Sequence, residues 1–275
     1  MRYFLKNANN VLGIMLILII VVSIIFTNQI APYDPCQTNM SNVLCPPNTK
    51  HLMGTDELGR DIFSRVVYGS RVSIEGPIMV VLLASMIGSM FGLISSLSTS
   101  LVDEFMMRIA DIFLSFPMLI LAMLLVVVFG SGLWSAVIAL SVAWWPYYAR
   151  IARSKGLEIK GAGYIEAARA VGCSPIRILF QHVLRNGLSP LIVQMSLDLG
   201  NAVLITAGLS FLGLGVQPPV PEWGSMINIG RRYLLQAWWY TTFPGIAIFV
   251  TVLGVNMVGD GIRDLLDPRH RHIRK

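Results

Sequence analysis

Charge is scarce in this chain. Asp, Glu, Lys and Arg make up 13% of its 275 residues, where a soluble domain carries about 25%. With 55% apolar residues gathered into long blocks, an ordinary soluble fold is excluded and a polytopic membrane protein is expected. Only 3 cysteines and 4 histidines are present, with no CxxC or Cys/His cluster, so no metal site is expected. No G-x-x-x-x-G-K-[ST] loop occurs, so any ATP must be bound elsewhere. HExxH is absent, Ser210 has no intramembrane His, and Asp260 is at a span end. Those absences argue against an intramembrane enzyme. Acidic residues are in deficit, 15 against 21 basic. That balance suits a membrane protein with basic inner loops and does not require nucleic acid.

What is there is apolar sequence in blocks. Val11–Phe26, extending to Ile30, is the first, read as an uncleaved anchor because no small-residue cleavage site follows it. Pro77–Leu97 is the second. Ile112–Ala149 has 38 residues without charge, room for two spans of about 20 each, turning at Gly130-Ser131-Gly132. Leu188–Leu214 and Phe243–Val258 complete six. The fold class is therefore all-α, with six transmembrane helices. Residues 1–30 form the N-terminal end and first span. Residues 31–75 form an outer loop with a short amphipathic helix (Ile62, Phe63, Val66, Val67, Ser70), and 76–275 form the core, with an inner loop at 150–187. With both termini in the cytoplasm, 15 Lys/Arg fall inside and 6 outside, which sets an N-in, C-in orientation.

Smaller features leave alternatives open. Ala84, Gly88, Gly92, Ser96 and Ser100 recur every fourth residue and suit close helix packing, within the chain or with a partner. Pro117 and Pro146 are expected to kink their spans. Trp144, Trp145, Tyr147 and Tyr148, and Trp238, Trp239 and Tyr240, read as interfacial anchors. Cys36 and Cys45 share the outer loop, as a disulfide or as two thiols. Asp198, with Asn201 one turn on, is either a polar group on a solute path or a partner in an interhelical hydrogen bond.

The 150–187 loop is the most informative segment. It carries seven Lys/Arg and two Glu between two apolar segments. Gly161–Val171 can be helical, Gly172 suits a left-handed C-terminal cap, and Ser174-Pro175 opens a second helix. A DNA-reading helix–turn–helix is excluded by its shortness, its tethering at both ends beside lipid and the lack of a third helix. Spacing alone leaves a passive basic loop and a docking element as the readings.

Glu166-Ala167-Ala168, three residues, then Gly172 resembles the EAA loop of the membrane subunits of ABC importers. The family's Ile and Pro positions further on are not matched around His182, Leu184 and Arg185, while the Leu fits. Gly54-Thr55-Asp56, Leu58-Gly59-Arg60-Asp61, Met107-Arg108-Ile109-Ala110-Asp111, Gly208-Leu209-Ser210-Phe211-Leu212-Gly213 and Pro221-Glu222-Trp223-Gly224 resemble the dipeptide/oligopeptide/nickel branch, specifically its C-type permease. The resemblance implies a type I importer permease (MetI-like) fold and no catalysis in this chain. It also implies coupling to ATPases through Tyr164, Ile165, Glu166, Ala167, Ala168 and Gly172. Its implied partners are a homologous B-type permease, two ATP-binding subunits carrying ATP and Mg, an extracytoplasmic solute-binding protein and the lipid bilayer. The implied location is the plasma (inner) membrane of a bacterium or archaeon. Peptide is the expected solute, a nickel or metal chelate the alternative. An ion-coupled secondary transporter is the rival class, but one intramembrane carboxylate and no internal repeat give it little support.

Overall fold

The computed structural model describes residues 7–174, 177–178, 181 and 184–266. The described chain is mostly helical, and no strand occurs among the described residues. The helices are α1 (Ala8–Ile25), α2 (Thr27–Ile30), α3 (Ile62–Leu97), α4 (Ser100–Leu114), α5 (Met118–Phe129), α6 (Leu133–Lys160), α7 (Gly163–Ala170), α8 (Arg185–Phe211), α9 (Trp223–Gly230) and α10 (Trp239–Leu266). Helices are what lipid permits, because each satisfies its own backbone groups. Among the described residues, α1, α3, α8 from Ser189 and α10 are long and apolar enough to cross a membrane. α4 with α5 adds a fifth if counted as one broken span. The 28-residue α6 is long enough as well, but Trp144, Trp145, Pro146, Tyr147 and Tyr148 dilute its apolarity. Six spans are compatible with this set.

Two compact units are present, one of Met1–Met79, Met123–Val137 and Ser196–Lys275, the other of Val80–Ala122 and Ile138–Met195. In the first, α1 crosses α10 so closely that a Cβ on Gly13 would lie 2.6 Å from the Met257 Cβ. α8 meets α10 in the same way, since a Cβ on Gly200 would lie 2.1 Å from Asn256 Oδ1.

A polar knot closes the end of this unit where α3 and α9 begin. Asp56 accepts the backbone N–H of Leu58 and of Arg60 at 2.9 Å, and Arg60 Nε at 2.6 Å. The Arg65 side chain, 1% exposed, lies 3.5 Å from the same carboxylate and donates Nη1 to the Pro35 carbonyl at 2.7 Å. Asp61 accepts from Ser64 and pairs with His51 at 2.9 Å. Glu222 caps α9 by accepting the N–H groups of Gly224 and Ser225. Burial pushes its carboxyl above the usual range, against the lowering effect of those two bonds. Asp56→Asn removes the charge facing two buried guanidinium groups. It is expected to cost about 1.5–3 kcal/mol, read as a lowered unfolding midpoint of the purified protein.

Three expectations are corrected here. The amphipathic segment at Ile62–Ser70 is not a separate helix but the start of the 36-residue α3, and Arg65, whose charge had suggested an interfacial face, is buried in the knot. Ile112–Phe129 is not one continuous helix. The helix ends after Leu114, and α4 and α5 meet at 86°, since Pro117 has no N–H to offer and its ring crowds the carbonyl of Phe113. Pro146, by contrast, lies inside an unbroken α6. The aromatic anchors are mostly interior. Trp239 donates Nε1 to the Thr55 carbonyl at 3.2 Å, and Tyr240 is fully buried. Trp145 packs edge-on against Phe91 and Phe113. Trp238 and Tyr147 remain exposed.

Candidate coupling site

The inner loop begins later than its charges suggested. α6 runs ten residues past Arg150, so Ile151–Lys160 is a helical extension of the fourth span and not loop. Gly161 and Ala162 make the joint, with Ala162 N–H donating to Ile159 O at 3.0 Å and Ile165 N–H to Ala162 O at 2.9 Å. α7 follows as an eight-residue helix. Among its described side chains Ile165 alone is buried, at 0% exposure, and anchors it. Tyr164, Glu166, Ala167 and Ala170 are exposed, Ala168 is half-buried, and Val171 stands 81% exposed. Tyr164, in the first turn, and Val171, just past the last residue of the helix, are thus both open to the surroundings.

The end of α7 is tightly defined. Gly172 has φ +84°, the left-handed conformation a glycine adopts without strain. The Cys173 N–H closes on Ala168 O at 3.0 Å, the bond that seals a glycine-capped helix end. Ser174 then opens the next turn, its Oγ accepting the Arg177 N–H at 3.3 Å and its carbonyl the Ile178 N–H at 3.0 Å. Residues 175–176, 179–180 and 182–183 of the expected second helix, His182 among them, and the side chain of Arg185 lie outside the described residues.

A group of contacts not anticipated from sequence braces this site. Arg153 forms a two-pronged pair with Asp103 of α4, Nε at 2.7 Å and Nη2 at 2.6 Å. Asp103 also accepts Ser95 Oγ of α3. The pairing raises the Arg153 guanidinium further above its ordinary value. Arg150 pairs with Asp111 at 2.6 Å. Lys160, beside the joint, donates Nζ to the carbonyls of Ser96 at 2.9 Å and Ser98 at 3.4 Å, capping the last turn of α3. The signal was present in retrospect: Asp103 and Asp111 lie two turns apart on one helix, opposite Arg153 and Arg150.

The small-residue stripe serves packing within the chain. A Cβ on Gly88 would lie 2.2 Å from the Trp145 carbonyl oxygen, and one on Gly92 2.1 Å from that of Ala149. The other candidates are dispersed. On α8 Asp198 is buried at 5% exposure, whereas Asn201 is exposed. Cys36 and Cys45 are free thiols. The Cys36 backbone is held by Asp34 and that of Cys45 by Thr55.

The described helices include several long apolar ones and a short, exposed, glycine-capped helix, α7, that follows the end of α6. Residues 84–272 match the family described as binding-protein-dependent transport system inner membrane component, and residues 1–47 match the N-terminal TM domain of oligopeptide transport permease C. The chain is 45% identical over 254 residues to a probable D,D-dipeptide transport system permease of Escherichia coli K12, covering 92% of this chain and 85% of the relative. It is 42% identical over 274 residues to the dipeptide transport system permease of the same strain, covering 98% and 91%. With its counterpart in Alkalihalophilus pseudofirmus it shares 41% over 264 residues, covering 96% and 87%. The fold is similar to that of the MetNI methionine ABC transporter in inward-facing form, with TM-score 0.60 at 22% identity, over 74% of this chain and 96% of that one. The chain belongs to the binding-protein-dependent inner-membrane permeases of ABC importers, in the C-type branch.

Proposed function

We propose that this chain is one of two homologous permease subunits of an ATP-driven importer of di- or oligopeptides, with both termini in the cytoplasm. Peptide is favoured over nickel because the relatives that cover nearly the whole chain are named as dipeptide permeases. An extracytoplasmic binding protein delivers the solute to a path between this chain and a B-type partner. Two separate subunits bind ATP and Mg. Their closure moves α7 and turns the path from inward- to outward-facing. The observation that carries this reading is α7 itself, anchored by Ile165, capped at Gly172 and exposed at Tyr164, Glu166, Ala167 and Ala170. Tyr164, Glu166, Ala167 and Ala168 are its docking face. Asn201, exposed on α8, and Asp198, buried about one turn before it, are the candidates for the path.

The test is reconstitution of the four-subunit complex in vesicles with labelled dipeptide. Uptake is expected only with ATP on the α7 side and binding protein on the other. Uptake that survives ATP depletion and stops with an uncoupler would make the protein an ion-driven carrier.

A further inference from the structure

The extension Ile151–Lys160 poses a mechanical question. A push on α7 reaches the membrane through α6, across the Gly161–Ala162 joint. A helix rises 1.5 Å per residue, so the extension is about 15 Å long. A free arm of that length at a span end would bend, and the displacement would be lost. This arm is tied at three levels. Arg150 holds Asp111 and Arg153 holds Asp103, both on α4, and Lys160 holds the Ser96 and Ser98 carbonyls of α3. At Gly156 the arm also touches α3 directly, where a Cβ would lie 2.2 Å from Ser96 Oγ.

The Arg153–Asp103 pair is the strongest of these ties. It is forked, partly shielded, and joined by Ser95, so three helices meet at one carboxylate. Such pairs fix orientation as well as distance. The Arg150–Asp111 pair is more than half exposed and contributes less.

Resting on the coupling role proposed for α7, we propose that Asp103 and Arg153, with Lys160 as fulcrum, are positioning residues. They make the inner ends of α3, α4 and α6 move as one body, so that each stroke of α7 is delivered to the spans. Without them the ATPase subunits still dock and hydrolyse ATP, but strokes are wasted in bending the arm.

The readout is dipeptide imported per ATP hydrolysed by the reconstituted complex, with retention of the ATPase subunits measured alongside. Asp103→Asn and Arg153→Gln are each expected to lower that ratio about tenfold, the scale of one lost charge-assisted bond, while ATP hydrolysis persists. Arg153→Lys keeps the charge, loses the fork, and falls between. Arg108→Gln is the control. It breaks an exposed pair with Glu104 inside α4 alone and leaves the ratio unchanged. An unchanged ratio in Asp103→Asn and Arg153→Gln overturns the proposal. So does a fall in uptake and hydrolysis by the same factor, which would mean general destabilisation. If Asp103→Asn does not fold, Arg153→Lys decides by the same criteria. Normal uptake by Glu166→Lys would instead strike at the coupling role of α7, leaving the brace a structural feature.

Discussion

Gly92→Val is expected to yield no folded subunit. α3 and α6 cross backbone to backbone, and a Cβ at position 92 would lie 2.1 Å from the Ala149 carbonyl oxygen and 2.9 Å from the Arg153 nitrogen. The opposing atoms belong to the α6 backbone, so no flexible side chain can yield. The helices must separate, which also lifts Gly88 from Trp145 and Tyr148 and pulls Arg153 away from Asp103. Adding bulk to a packed interior typically costs about 1–3 kcal/mol when side chains can adjust. Here they cannot, and the loss of the ion pair is added. Size-exclusion profile and unfolding midpoint of the purified variant check this. Gly245→Ala, at a helical position with nothing within 4 Å, is the control and retains the wild-type profile.

Gly172→Val and Glu166→Lys abolish uptake by a different route, without loss of folded protein. At φ +84° a residue with a side chain is strained by about 1–2 kcal/mol, and a β-branched one by more. Nothing lies within 4 Å of a Cβ there, so the cost is purely one of backbone conformation and stays local. The Cys173-to-Ala168 bond opens and α7 loses its last turn, carrying Val171 out of place. Glu166 acts at the other end. In the first turn an acid complements the helix dipole by about 0.3–1 kcal/mol; lysine reverses this and inverts the charge of the exposed face. The spans are untouched in both variants, so each is expected to insert and purify normally, with uptake at background and ATP hydrolysis persisting.

The parts legible in the sequence are those governed by local rules. Gly172, Ser174 and the apolar blocks announce themselves, because a left-handed cap, a helix start and a bilayer span each depend on nearby residues. The EAA triplet was legible through its resemblance alone. The illegible parts depend on partners far along the chain. Arg65 looked like the charged side of a surface helix until Asp56 and Pro35 enclosed it. Arg153 and Lys160 looked like loop charges fixing topology, although they face Asp103 and the end of α3. Trp239 looked like an interfacial anchor, and its indole is instead spent on Thr55. A residue's type did not say whether its partner would be lipid, water or a buried carboxylate.

At the centre of the account, ATP hydrolysed on separate subunits drives solute through this chain by way of α7. The ratio of dipeptide imported to ATP hydrolysed, measured side by side in vesicles containing wild-type or Glu166→Lys subunit, tests this most directly. The account predicts a fixed ratio for the wild type and a ratio near zero for the variant, with hydrolysis continuing in both. Equal ratios, or import by this chain with no nucleotide-hydrolysing subunit present, would contradict it.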